Sequence, residues 1–317
     1  MLTGMNRRGF LRMGATAGAA AILAPRWMTA QAASSGNMIE DMRQVAAKTP
    51  IKTTKLHDNL FLLQGVGGNM AVQTGKDGTV LIDSSFSTAV PAVLAAMKSA
   101  GAGVPDMLIN THWHFDHTDG NEGMHQAGFA ILAHQKTRER LAEPHSVKLL
   151  GLSVPASPAA ALPALTFDTT FHAWHNGDSL NLEYFAPAHT DTDIFIHFRQ
   201  ADVLHVGDTW FNGFYPFIDE STGGNIGGMI AASERTLKMV GSETKIIPGH
   251  GPLGTKAQLQ AFRDMLSGVR DKVAALKSAG ASEQETIAKK PTAAWDDAWS
   301  KGSKGPDMFT GIVYRTV

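Results

Sequence analysis

The 317-residue chain contains no cysteine. That absence excludes disulfides, thiolate zinc sites, iron–sulfur clusters and a thiol nucleophile together, so any bound metal must be held by His, Asp or Glu. The chain also lacks a dominant charge, since 28 basic and 29 acidic side chains leave a formal net charge of −1. Four of the basic residues (Arg7, Arg8, Arg12 and Arg26) lie in residues 1–32, which hold no acid, and the remainder carries a net charge of −5. A mildly acidic body without a long basic run has no electrostatic footprint for nucleic acid, so no nucleic-acid partner is expected. No apolar run reaches the roughly 20 residues that span a bilayer, so no stable membrane span is expected either. Repeats at solenoid or propeller periods are likewise missing. What is present is a 43% hydrophobic composition, enough to fill the core of one large domain or two modest ones.

Asn6-Arg7-Arg8-Gly9-Phe10-Leu11 places adjacent arginines before an apolar doublet, and an Ala/Gly-rich run from Met13 to Ala24 follows. Small residues at Ala30-Gln31-Ala32 supply a cleavage point. This order of charge, apolar run and small residues predicts a signal peptide over residues 1–32, of the twin-arginine type that exports folded proteins through the Tat machinery. The expected location of the mature protein is therefore the periplasm.

Residues 33–54 are expected to form a loose lead-in, with Pro50 near its end. Short β-type runs follow at Lys55–Gln64, Met70–Thr74 and Thr79–Asp83, separated by glycine-rich turns. Ser87 is suited to cap a helix reaching Gly101, with Val90, Val93, Leu94 and Met97 at helical spacing. Residues 144–167, with four prolines among many alanines, read as an irregular insertion or lid. Strands resume at Leu180–Phe185, Ile194–Phe198 and Val203–Val206, and from Lys256 onward the pattern is helical. Strand clusters alternating with helices predict an α/β or α+β fold with two sheets.

The chemistry concentrates in Thr111-His112-Trp113-His114-Phe115-Asp116-His117, directly after a short apolar run at Met107–Asn110. In an extended segment His112 and His114 project to one side, so one metal can take both imidazoles, and a turn could aim Asp116 and His117 at a second. Zinc takes three or four nitrogen or oxygen ligands at about 2.0–2.2 Å, which suits such dense clustering. Three later segments end or join apolar runs with polar residues: Pro187-Ala188-His189-Thr190-Asp191-Thr192-Asp193, Val206-Gly207-Asp208-Thr209 and Ile247-Pro248-Gly249-His250-Gly251. Strand ends are where α/β scaffolds place site residues.

With these segments in this order, from about Lys55 to Gly254, the chain resembles the metallo-β-lactamase superfamily. The resemblance implies an αββα four-layer sandwich with a dinuclear site, two Zn2+ per chain, between the sheet edges. It makes His112, His114 and His189 ligands of the first ion. Asp116, His117 and His250 become ligands of the second, and Asp208 bridges both. Asp83, closing Leu81-Ile82-Asp83, is then a support behind the histidine loop. The implied domain plan is a catalytic domain over residues 55–254 with a helical extension, residues 255–317, packed on it.

Departures from subfamily patterns leave the subfamily open. The commonest β-lactamases place a cysteine in the second site, and this chain has none; another subclass has the Asp-His-His set without the bridging Asp. Glyoxalase II-type thioesterases, lactonases and organophosphate-type hydrolases carry that Asp. Quorum-quenching lactonases place a Tyr three residues past it, where this chain has Phe211. The expected activity is hydrolysis of a lactam, lactone or (thio)ester bond of a small substrate by a metal-bridging hydroxide, with Asp116 and Asp208 in catalytic roles. A phosphotriester-type hydrolase on the same site and a non-catalytic zinc-buffering protein are the alternatives. Trp113, Trp210 and Phe211 adjoin the ligands and are expected to wall an apolar substrate pocket.

Overall fold

The computed structural model describes residues 37–300 and 305–317; the expected signal peptide lies outside them. The first sheet starts with β1 (Lys52–His57), β2 (Leu60–Gln64), β3 (Met70–Gln73) and β4 (Thr79–Ile82), paired antiparallel in sequence order. It continues with β5 (Pro105–Ile109) and β6 (Ala130–His134), both parallel to β4. The chain then makes a separate hairpin, β7 (His145–Val147) and β8 (Leu152–Val154), and returns as β9 (Leu165–Phe167) alongside β6. The second sheet runs in the order β10 (Thr170–His175), β11 (Asp178–Tyr184), β12 (Ile194–Phe198), β13 (Val203–His205) and β14 (Lys245–Ile247). Its pairings are antiparallel except for β13 with β14.

Side-chain alternation assigns the layers. Ala71, Val80, Ile82 and Ile109 from the first sheet meet Leu180, Ile194, Ile196 and Ile247 from the second, forming the core between the sheets. Met70, Val72 and Leu81 point the other way, onto α1 (Met38–Ala46) and α2 (Val90–Ser99). Three short helices, α3 (Phe115–Thr118), α4 (Asn121–Gln126) and α5 (Gln135–Ala142), connect the parallel strands of the first sheet. Phe195, Leu204 and Ile246 face outward from the second sheet onto α6 (Ile226–Met239), α7 (Lys256–Ser278) and, after α8 (Glu283–Ala288) and α9 (Asp296–Trp299), α10 (Gly305–Thr316). Burial on both faces explains why β3, β4 and β12 read as continuous apolar runs. The result is an αββα sandwich. Residues beyond 254 supply much of its second helical layer, beginning at α7, where Thr255 and Gln258 form a capping box.

Two expectations need correction. The loose lead-in contains α1, capped by Asn37 and anchored by buried Ile39, Met42 and Ala46. The insertion is less irregular than its prolines suggest, since it carries the β7–β8 hairpin and β9. Because β4 and β5 are parallel, as are β13 and β14, their C-terminal ends gather at one edge of the sandwich. The β11–β12 loop joins them there because β12 runs antiparallel to β13.

Candidate metal centre

At that edge each candidate ligand stands on a strand end or the loop following it. His112, His114 and His189 bring one ligand atom apiece, with a carboxylate oxygen of Asp208, to within 4.8 Å of one another. Asp116, His117 and His250 form a second group on the same criterion. Asp208 touches both. Its Oδ2 is 3.9 Å from His112 Nε2 and 3.4 Å from His189 Nε2, and its two oxygens lie 3.0 Å from His117 Nε2 and 3.2 Å from His250 Nε2. Asp116 Oδ2 is 3.3 Å from His250 Nε2.

The outer hydrogen bonds of the imidazoles decide which nitrogens face inward unprotonated. His189 Nδ1 lies 2.9 Å from the Phe217 carbonyl, which can only accept, so Nδ1 carries the proton. His114 Nε2 donates to the Asp219 carboxylate at 3.1 Å. Thr111 Oγ1 gives its one proton to Asp83 Oδ2 at 2.8 Å and therefore accepts from His112 Nδ1 at 3.0 Å. These assignments leave His112 Nε2, His114 Nδ1 and His189 Nε2 as lone pairs pointing at one place. His114 Nδ1 and His189 Nε2 stand only 2.9 Å apart, and His112 Nε2 is buried without a hydrogen-bond partner. Converging buried lone pairs beside a carboxylate repel unless a cation lies among them, so the donor set fits a divalent metal.

Electrostatics agree. Burial holds His112 well below its ordinary pKa, and it brings His189 down to about 4, so both favour the neutral form that ligates metal. Burial opposes ionisation of Asp208, yet the surrounding imidazoles, His250 foremost, hold it well below the usual carboxylate range. In the second group burial works against the charged imidazole, but Asp208, Asp116 and Asp83 keep His117 well above its ordinary value. Against the same burial, Asp208 and Asp116 raise His250 to about 9. The carboxylates thus demand positive charge at this spot, which protons or a metal can supply.

Behind the ligands Asp83 is wholly buried and accepts three hydrogen bonds. They come from Thr111 N (2.8 Å), Thr111 Oγ1 (2.8 Å) and His117 Nδ1 (2.7 Å). Asp193 shapes the His189 loop by accepting from the His189 and Thr190 amides. Asp219 also accepts from Ser221 and Thr222, which fixes the carboxylate that orients His114. The sequence reading gave no role to Thr111, Asp193 or Asp219. Asp219 had a signal, because an acid closing the apolar run Tyr215–Ile218 repeats the pattern that singled out Asp83 and Asp208.

Trp113, Trp210 and Phe211 do not wall a substrate pocket. Each is at most 1% exposed. Trp113 packs with Ile39, Leu141, Val147 and Leu152, while Trp210 and Phe211 belong to the core beneath α6 and α7. Phe211 instead stacks on His250, with ring centroids 5.1 Å apart. Phe211 on His250 and Trp113, edge-on to His114 with ring centroids 4.8 Å apart, brace these two ligands.

Backbone approach at Gly249 is equally demanding. A Cβ there would sit 1.8 Å from Asp208 Oδ1 and 2.7 Å from the Gly207 carbonyl carbon. Gly249→Ala must therefore displace Asp208 or the Gly207 backbone, and a loss of at least about 1–3 kcal/mol in stability together with reduced metal content is expected. Thermal unfolding and metal analysis of the purified variant check both; a variant matching the parent in each would show that the contact relaxes freely.

The family model of the metallo-beta-lactamase superfamily matches residues 63–253. Acyl-coenzyme A thioesterase MBLAC2 of Bos taurus is 24% identical over 205 residues, which is 61% of this chain and 72% of that protein. A hydroxyacylglutathione hydrolase of Nitrosococcus oceani is 30% identical over 144 residues, 45% of this chain and 47% of that one. Among solved structures, the stereoselective inverting sec-alkylsulfatase Pisa1 from Pseudomonas sp. shares the fold at a TM-score of 0.64 and 16% identity, covering 92% of this chain and 54% of its own. With the sandwich, the strand-edge site and a match over more than half of its length, the chain belongs to the metallo-beta-lactamase superfamily.

Proposed function

We propose that the chain is an exported dinuclear zinc hydrolase that opens a (thio)ester, lactone or lactam bond of a small substrate. In this reading His112, His114 and His189 hold one ion, Asp116, His117 and His250 hold the other, and Asp208 is shared. The observation that carries it is the set of three proton-free imidazole nitrogens converging on Asp208. Among the relatives, one is named an acyl-coenzyme A thioesterase and another a hydroxyacylglutathione hydrolase, which favours a (thio)ester bond. Bound divalent ions supply Lewis-acid polarisation and a water of lowered pKa. The protein's own groups do the rest. Asp208 offsets positive charge between the two ligand groups. Asp116, whose side chain is 13% exposed, is the carboxylate placed to accept a proton from an entering water. Asp83, Asp219 and the Phe217 carbonyl hold the imidazole tautomers fixed.

Chelation followed by zinc reloading tests the reading against a panel of p-nitrophenyl ester, thioester, lactone and chromogenic lactam. Activity on at least one member is expected to vanish with the metal and return with it. At a thousandfold excess of zinc over Kd, binding contributes about 4 kcal/mol, so chelation should lower Tm by roughly 8–16 °C. A chain holding two zinc ions that turns over nothing in the panel would instead support the buffering alternative. Export rests on the Arg7-Arg8 pair. Replacing both with lysine is expected to retain the uncleaved protein in the cytoplasm, as read by fractionation; continued export would remove the twin-arginine assignment.

A further inference from the structure

The β7–β8 hairpin stands over the ligand loop. Val147 and Leu152 pack on Trp113, which lies between His112 and His114, and so tie the hairpin to the site. Between the hairpin and residues 217–221 lies a cavity of about 400 Å³, lined by Ser146, Val147, Leu149, Phe217, Ile218 and Ser221, with Asp219 and Glu220 at the same wall. Its inner wall belongs to the site itself. The Phe217 carbonyl accepts from His189, and the Phe217 ring lies 6.0 Å from the rings of both His114 and His189.

The polar groups of this wall are already engaged. Asp219 accepts from His114, Ser221 and Thr222, and both oxygens of Glu220 accept from Arg315 at 2.9 Å. Recognition is left to the apolar faces of Leu149 and Phe217, with Val147 and Ile218 buried behind them. Such a volume is at the small end for ligand pockets and suits a short chain or a ring.

We propose that this cavity binds the apolar acyl part of the substrate and that the β7–β8 hairpin sets the chain length accepted. This rests on the hydrolase reading above and narrows it to esters or thioesters of medium-chain acids. Each methylene entering the cavity is worth roughly threefold to fourfold in kcat/KM until the space is full. Ser146, exposed on the hairpin, and Leu149, 36% exposed between its strands, can be changed with little risk to the core.

The test uses the zinc-loaded protein with p-nitrophenyl acetate, butyrate, hexanoate and decanoate, and calorimetric titration with hexanamide as a readout independent of turnover. The parent is expected to prefer hexanoate over acetate by at least about tenfold and to bind hexanamide competitively with the ester. Ser146→Trp should move the optimum to a shorter chain. Leu149→Asp should lower the hexanoate-to-acetate ratio by about tenfold and weaken hexanamide to match, at unchanged Tm. Turnover with a flat chain-length profile, or with a ratio unmoved in both variants, would overturn the pocket and leave the hydrolase standing. Hexanamide binding that responds to both variants without turnover of any ester would retain the cavity but overturn its role as an acyl site. Absence of both binding and turnover would overturn the proposal, and the hydrolase reading falls with it only if the thioester, lactone and lactam of the wider panel are inert as well.

Discussion

Asp208→Ala should leave the protein folded but reduce turnover by at least about 10³-fold and bound metal to one equivalent or less. Asp208 lies within 4 Å of imidazoles from both ligand groups. Without it, His117 and His250 lose the strongest source of negative charge that draws a cation to their side. Lewis-acid stabilisation of a transition state is worth several kcal/mol, and each 1.36 kcal/mol is tenfold in rate, which sets the magnitude. Asp208→Asn keeps the shape and an acceptor oxygen while removing the charge. Asn and Ala variants failing alike would place the effect in charge; recovery in Asn would place it in geometry. Metal analysis alongside kcat decides between them, and full occupancy with unchanged turnover in the Ala variant would show that Asp208 does not bridge.

Much of the site is legible in the sequence because the fold delivers ligands at strand ends. The histidine loop directly follows β5, and Asp208 and His250 follow the short apolar strands β13 and β14. Orientation is less legible. The Phe217 carbonyl that fixes His189 is a backbone atom and carries no sequence signal, and Asp219 acts on His114 across 105 residues. The burial of Trp113 is legible in the alternation of its own segment. In an extended segment the alternation that puts His112 and His114 on one side sends Trp113 to the other, into the cluster with Ile39 and Leu141.

α1 and β10 escaped the sequence pattern for different reasons. In α1 the apolar residues Ile39, Met42 and Ala46 keep helical spacing, but the run is short and lies among polar neighbours. β10 is an edge strand that turns His172 and Trp174 outward, with Trp174 77% exposed, so its composition does not match a half-buried strand. Packing supplied what neither segment states alone.

Asp83→Ala is expected to be the most damaging change outside the ligands. A single buried carboxylate braces both groups: it accepts from His117 directly and reaches His112 through the Thr111 hydroxyl. Its removal strands the buried Thr111 amide and the His117 Nδ1 proton, at about 1–3 kcal/mol for each unsatisfied group. Supports of this kind are worth 10–100-fold in metal affinity, and here one residue supports a ligand in each group, so affinity should fall for both ions. Asp83 also holds φ at 59°, a left-handed conformation that Asn tolerates and Ala does not. Asp83→Asn should therefore recover only the part of the lost Tm that belongs to the backbone conformation and to one carboxylate oxygen, since its NH2 replaces the other acceptor and faces a donor. Metal affinity should stay depressed because the charge behind His117 is gone. Calorimetric zinc titration and thermal unfolding of the two variants separate these contributions. If Asp83→Asn bound zinc as tightly as the parent, the carboxylate would be a purely steric brace and its charge would have no part in tuning the ligands.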